Sequence, residues 1–292
     1  MGADHPESPA RLRAIEDQLI ASGVLPFLQQ HDAPLATFEQ LARVHAPHYI
    51  QAVRSASPSE GLFYLDPDTA MNPFTLIAAL RAAGAVVLAT ELVLERKLAN
   101  AFCAIRPPGH HAGTASAMGF CIFNNVAVGV AHAIEKFGMK RVAIADFDVH
   151  HGNGTEEIFH DDPRVMLCST FQHPYYPHCG ANSGNDHIIN VPLPAGTDGE
   201  TFRKVVSERW LPALERFRPE MLFISAGFDA HWEDDMAMFK LRESDYTWVT
   251  QQVKDVAEKH AQGRIVSALE GGYELHALGR SVAAHLKVLS GL

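Results

Sequence analysis

Residues 141–155 read RVAIADFDVHHGNGT, and the order of residue types in that stretch sets the reading of the whole chain. Its first half is apolar with no polar alternate, the pattern of a parallel strand covered on both faces. Its second half carries two aspartates, two histidines and then Gly152, Asn153 and Gly154. Side chains alternate along an extended chain, so Asp146, Asp148 and His150 project to one side. Buried carboxylates need a cation or hydrogen-bond donors close by. The stretch therefore reads as a core strand ending in half of a metal site; a polar strand end with helix-cap residues is the plainer alternative.

Four more runs share the apolar character: 100–105 (NAFCAI), 165–171 (VMLCSTF), 221–226 (MLFISA) and 264–269 (RIVSAL). Helical periodicity lies between them. Residues 120–137 put Val126, Val130, Ala133 and Phe137 on one face, and 275–289 repeat Leu275, Leu278, Val282, Leu286 and Leu289. Residues 198–217 gather Phe202, Val206, Trp210, Ala213, Leu214 and Phe217, with Thr197 and Glu200 expected as a capping box. Stretches 9–22 and 74–95 also fit helices. Strand–helix alternation predicts one α/β domain over residues 1–292, an open, mostly parallel sheet with helices on both faces. Such sheets bind ligands at the carboxyl ends of their strands.

Composition narrows the function classes. With 47% hydrophobic and 20% charged residues the chain is of ordinary globular make-up. A formal net charge of −10 argues against a nucleic-acid partner. No apolar run is read as reaching a membrane span, and the N-terminus shows no apolar core of an export signal. Cys103, Cys121, Cys168 and Cys179 form no CxxC pair, so reduced thiols and a cytoplasmic location are expected. Composition sets no oligomeric state.

The unusual residues fall at predicted strand ends. The run 221–226 leads into GFDAH, whose Asp229 supplies a third ligand beside Asp148 and His150. Three protein ligands leave a position open for water, the pattern of catalytic zinc. The run 100–105 leads into RPPGHHA, where His110 and His111 suit a general base and its partner. The run 264–269 leads into EGGYEL: Gly271 and Gly272 admit close backbone approach, and Tyr273 offers a hydroxyl to polarise a carbonyl. Taken singly, Asp229 also reads as a turn or cap residue and Tyr273 as a half-buried tyrosine after a glycine turn.

HPESPARL (5–12), RPPGHHA (106–112), MGFCIFNN (118–125), DFDVHHGNGT (146–155), SAGFDAH (225–231) and EGGYEL (270–275), in this order, resemble the histone deacetylase and acetylpolyamine amidohydrolase family of the arginase–deacetylase fold, in its class II-like, bacterial form. The resemblance covers nearly the whole chain. It implies zinc, with iron(II) as an alternative, at Asp148, His150 and Asp229. It implies His111 as general base and acid, His110 paired with Asp146, Asn153 beside His111, and Tyr273 as transition-state donor. Gly119, Phe120 and Tyr176 would line the acyl channel, with Gly271 and Gly272 at its floor. Structural potassium would sit at an inner set, Asp146, Asp148, His150, Ser169 and Thr170, and an outer one, Phe159, Asp162 and Val165. The family places about one further strand before the HPE motif, where this chain begins. Met236 stands where polyamine-specialised members carry an acid, although Glu233, Asp234 and Asp235 are near enough for a shifted loop to present one.

The activity so implied is hydrolysis of an acyl amide, on acylated lysine in a peptide or protein or on an acetylated small amine. Two other readings compete with it. A two-metal hydrolase needs more ligands than Gly152 and His231 supply at the next positions. A silent acyl-lysine binding module is expected to lack Tyr273 or a ligand, and all are present.

Overall fold

The computed structural model describes residues 1–2 and 5–292; residues 3 and 4, part of the N-terminus read for an export signal, lie outside it. The chain opens with α1 (Ala10–Ala21), α2 (Phe38–Leu41) and α3 (Pro47–Ala56). A small antiparallel hairpin, β1 (Phe63–Asp66) and β2 (Thr69–Met71), precedes α4 (Thr75–Leu94). Strand–helix alternation follows: β3 (Asn100–Cys103), α5 (Asn125–Phe137), β4 (Val142–Asp146), α6 (Asn153–Phe159), β5 (Val165–Gln172) and β6 (Ile188–Leu193). Then α7 (Gly199–Val205) runs through a π-helical turn (Val206–Trp210) into α8 (Leu211–Phe217), before β7 (Met221–Ala226), α9 (Glu243–His260), β8 (Ile265–Leu269) and α10 (Leu275–Ser290).

The large sheet has the order β3-β8-β7-β4-β5-β6 and is parallel throughout. Every residue of β4, β5, β7 and β8 is buried, so both faces are covered, as their unbroken apolar runs require. The register pairs Asp146 with Ser169 and Ser225, and Ala226 with Leu269. The segments after β4, β7 and β8 thus leave the sheet at one level. The chain departs from β4 toward β5 on one side and returns through β7 on the other, which is the strand-order reversal where open α/β sheets hold ligands.

The five predicted strands are all present. Several elements and two details differ from the sequence reading, the short helices α2, α3 and α6 among those not read. β6 was not read as a strand, because its half-exposed residues and Pro192 belong to a sheet edge, where a proline costs no ladder bond. Neither the β1–β2 hairpin nor α9 was read either, although α9 buries Tyr246, Val249, Val253, Val256 and Ala257 at helical spacing. The helix expected from 120 starts at Asn125, with Asn124 accepting from the Ala127 N–H as its cap. The capping box at Thr197 is not formed: Asp198 is the cap and accepts from the Thr201 N–H, while Thr197 donates to the Pro194 carbonyl. The π turn widens the helix just before Pro212, whose ring cannot sit against a regular preceding turn.

The membrane reading needs correction. Thr75–Leu94 is long and apolar enough to cross a bilayer, with mean hydropathy 1.9 over 18 residues. Its Ala79, Ala83, Val86, Val87 and Val93 are buried instead, and α5 and β3 pack against it, so it serves as a core helix. Beside the edge strand β3 an apolar groove of about 630 Å³ runs among Ile15, Leu19, Leu92, Phe102 and Leu289.

Behind the sheet, His285 of α10 is fully buried between the Thr250 hydroxyl at 2.7 Å and the Ser267 hydroxyl at 2.9 Å. Burial pushes its pKa down from 6.5 to about 3. The unfolded chain therefore takes up a proton below pH 6.5 that the folded chain refuses until about pH 3. Stability is whole above that window and is lost as pH falls through it, by about 3 kcal/mol at pH 4 from this residue. His285→Gln should flatten the acid limb of stability against pH, read as the denaturant midpoint; an unchanged limb would contradict the assignment.

Candidate active site

Asp146 ends β4 fully buried, and its Oδ2 sits 3.0 Å from His110 Nδ1. Its Oδ1 accepts the Asp148 N–H at 3.1 Å, which turns the chain so that Asp148 points back over the sheet. Asp148 Oδ1 then accepts the His150 N–H at 2.9 Å and lies 3.1 Å from His150 Nδ1; its Oδ2 accepts the Gly271 N–H at 2.8 Å. From β7, Asp229 Oδ1 accepts the Val149 N–H at 3.1 Å. Its Oδ2 is buried, accepts no hydrogen bond and stands 3.2 Å from His150 Nδ1. Ligand atoms of Asp148, His150 and Asp229 all lie within 4.8 Å of one another.

Two carboxylates and one imidazole at that spacing suit one divalent cation. The orphaned Asp229 oxygen is the acceptor such an ion would satisfy. The backbone makes room for these groups: a Cβ on Gly227 would fall on the Asp148 carboxylate, and one on Gly271 on that of Asp229. Burial raises the Asp229 carboxyl to about 6, helped by the charge of Asp148. Burial also works against charging Asp148, but His110 and His150 outweigh it and hold that carboxyl well below its usual range. The residues fit a metal ion.

The two histidines of RPPGHHA differ in state. His110 is driven down by burial, but the charges of Asp148 and Asp146 prevail and raise it to about 10. His111 is held far below 6.5 by burial, then by the charges of His110 and His150. Its Nδ1 is 2.8 Å from Asn153 Oδ1, and the Asn153 amide nitrogen turns to Met118 Sδ at 3.3 Å. That orientation makes Nδ1 the N–H donor and leaves Nε2 as the basic nitrogen. The sequence-level pairings of His110 with Asp146 and His111 with Asn153 are both present.

These groups open into a cavity of about 200 Å³. Gly119, Phe120, Tyr176, Met236, Gly271 and Tyr273 line it. The Tyr176 ring meets His111 edge-on at 5.3 Å. Tyr273 packs against the edge of Phe120 at 5.9 Å, and burial raises its hydroxyl well above 10, so it stays a donor. Gly272, read as part of the channel, is not among the lining residues: a Cβ there would meet Leu278 and Phe228, so it faces α10 instead of the cavity. Glu233 pairs with Arg280 and Asp234 turns inward, leaving Asp235 as the exposed acid of that loop. At the residues read as an inner potassium set, Ser169 Oγ is buried with no hydrogen-bond partner among the described residues. At the outer set the Asp162 carboxylate is taken by Arg164, the Phe159 carbonyl accepts the Asp162 N–H and the Asp162 carbonyl the Val165 N–H.

Several site residues escaped the sequence reading. Tyr175 stacks on His150 at 5.9 Å and donates to the Met236 carbonyl at 2.9 Å; its neighbour in HPYYP was chosen instead. Asp68 lines the cavity from the β1–β2 turn and accepts the Gly119 N–H at 3.0 Å. Glu270 accepts the N–H groups of Gly109 and His110 at 2.6 and 3.1 Å, and burial raises it to about 7. Arg11 donates to the carbonyls of Gly272 and Glu270 at 2.6 and 2.5 Å and lies 4.9 Å over the Tyr273 ring. Arg11 and Glu270 stood inside quoted motifs, but their partners are far away in sequence.

Residues 5–289 match the histone deacetylase domain. The chain belongs to the histone deacetylase family. It is 37% identical over 282 residues to a probable deacetylase of Archaeoglobus fulgidus, covering 93% of this chain and 77% of that one. It is 38% identical over 278 residues to a histone deacetylase-like amidohydrolase of Pseudomonas aeruginosa, covering 93% and 73%. The crystal structure of the HDA15 HD domain superposes with a TM-score of 0.93 at 36% identity, covering all of this chain and 83% of that one. The chain is thus a histone deacetylase-family hydrolase, and Asp148, His150 and Asp229 form a candidate metal site in it.

Proposed function

We propose that this protein hydrolyses the acyl amide of a lysine side chain with zinc held by Asp148, His150 and Asp229. One observation carries the reading: of three converging ligands, Asp148 and His150 line a narrow cavity together with a neutral imidazole, His111, and a protonated phenol, Tyr273. When bound, zinc supplies Lewis acidity, which brings the pKa of water toward neutrality and polarises a carbonyl. His111 Nε2 takes a proton from the attacking water as the C–O bond forms. The Tyr273 hydroxyl donates to the oxygen on which charge develops. As the C–N bond breaks, His111 returns the proton to the amine, so amide and water become carboxylate and ammonium. Asp146 keeps His110 charged and oriented beside His111.

Phe120 and Tyr176 give the cavity apolar walls suited to an alkyl stem, and Met236 places no charge at the loop that borders it. Both favour acyl-lysine. The carboxylate of Asp68 in the same wall favours a second reading, an acetylated diamine whose free ammonium it would face. The unpartnered Ser169 Oγ, in register with Asp146, favours a monovalent cation such as potassium at the inner set.

Turnover of an acetyl-lysine peptide and of N-acetylputrescine, with zinc and iron measured on the same sample, tests the proposal. The peptide should have the higher kcat/KM by about tenfold or more, as expected when one substrate alone gains a well-placed contact. A reversed preference would select the diamine reading. Zinc-dependent peptide binding without turnover would overturn hydrolysis.

A further inference from the structure

Tyr273 follows two glycines, and Gly272 sits at φ 121°, a conformation open only to glycine. Such a pair is not fixed by its own sequence; contacts from elsewhere hold it, with the Gly271 N–H on Asp148 and the Gly272 carbonyl on Arg11. Tyr273 also precedes the first residue of α10, so no helix or strand bond fixes its N–H. That N–H goes to Asp234 Oδ2 at 2.6 Å, and the next, of Glu274, goes to the same oxygen at 3.0 Å. The other oxygen, Oδ1, accepts the N–H of Met236 at 3.0 Å.

Asp234 is 4% exposed and makes no ion pair among the described residues. Its charge is met by three N–H dipoles and by the amino end of α10, which favours an anion. Its loop is itself anchored: the Phe228 N–H donates to the Gly271 carbonyl at 3.0 Å, and the Trp232 N–H to the Leu241 carbonyl at 2.9 Å. The same carboxylate thereby fixes a donor in the cavity, Tyr273, and a second lining residue, Met236, whose carbonyl is held in turn by Tyr175 at 2.9 Å.

We infer that Asp234 is a positioning residue for Tyr273: through the main chain it sets where the phenol hydroxyl stands over the reacting carbonyl. The inference rests on the reading of Tyr273 as that donor. Asparagine is the informative replacement. It keeps the shape and one oxygen, but an NH2 group must then face an N–H, which loses at least one bond and opposes two donors.

The test is a cycle of four proteins, wild type, Asp234→Asn, Tyr273→Phe and the double variant, assayed for kcat and KM on a fluorogenic acetyl-lysine peptide. Metal content and melting temperature are measured beside them. Displacement of a reacting group by about 1 Å costs on the order of a hundredfold. Asp234→Asn should therefore lower kcat by about ten- to a hundredfold and leave KM within about threefold. In the Tyr273→Phe background the same change should cost about twofold or less, because no hydroxyl remains to misplace. Equal losses in both backgrounds would show general loop damage and overturn the inference, as would an unchanged kcat in Asp234→Asn. If the asparagine variant loses metal or melts below the assay temperature, Asp234→Ser, which retains one short acceptor, carries the same comparison with the same outcomes. Wild-type activity in Tyr273→Phe alone would remove the reading of Tyr273 instead, and that result is visible separately.

Discussion

Asp148→Ala is expected to lower hydrolysis at least about a thousandfold, together with loss of bound metal, because it removes one of the three candidate ligands found among the described residues. The change also deprives the Gly271 and His150 N–H groups of their acceptor, so the floor beside Tyr273 loosens with the site. Metal analysis of the purified variant separates the two effects, and full metal content with full activity would remove the three-ligand reading. Chelation of the wild type gives the companion result. In the ion-free chain burial and Asp148 raise the Asp229 carboxyl from 3.8 to about 6. A carboxyl raised in the folded state contributes stability below its unfolded value, and that contribution is lost as pH rises through the folded value. The contribution of this one carboxyl in the ion-free protein therefore falls between about pH 4 and pH 6, opposite in sign to that of His285. Metal relieves that cost, so chelation should lower the melting temperature more at pH 7 than at pH 5. An equal drop at both would contradict the carboxylate assignment.

Tyr273→Phe should lower kcat by about a hundred- to a thousandfold with little change in KM, the loss typical of a single donor to a developing oxyanion. The ring can remain where it is, between the Phe120 edge and the Arg11 guanidinium, so packing does not confound the result. Because burial lifts the hydroxyl well above 10, its donor role should persist through the neutral and mildly alkaline range. Single-turnover rates on an acetyl-lysine peptide measure the effect. Activity within about threefold of wild type would leave the cavity without its electrophilic partner and would redirect the proposal.

Four of the five predicted strands, β4, β5, β7 and β8, were legible because each is buried on both faces, and such a strand writes its covering into an unbroken apolar run; the edge strand β3 is half-buried. Asp146, Asp148 and His150 were legible for a related reason: they are neighbours on one short segment, and alternation alone predicts their common side. The expected pairs His110–Asp146 and His111–Asn153 came through a resemblance carried by motifs spanning the chain. The edge strand β6, half-exposed and containing Pro192, had no such signature. The hairpin that supplies Asp68 is only four and three residues to a strand, too short for any period to show.

What the amino-acid order determined by itself was the parallel α/β layering, the strand ends and the residue types gathered there, since these follow from periods of two to four residues along one segment. What only the tertiary structure decided was which distant group completes each strand end: Arg11 reaching the Gly272 carbonyl 261 residues away, Glu270 holding the backbone of His110, Asp234 holding that of Tyr273. Those pairings depend on the sheet order and on the common level at which β4, β7 and β8 end, and a local hydrophobic pattern contains no information about either.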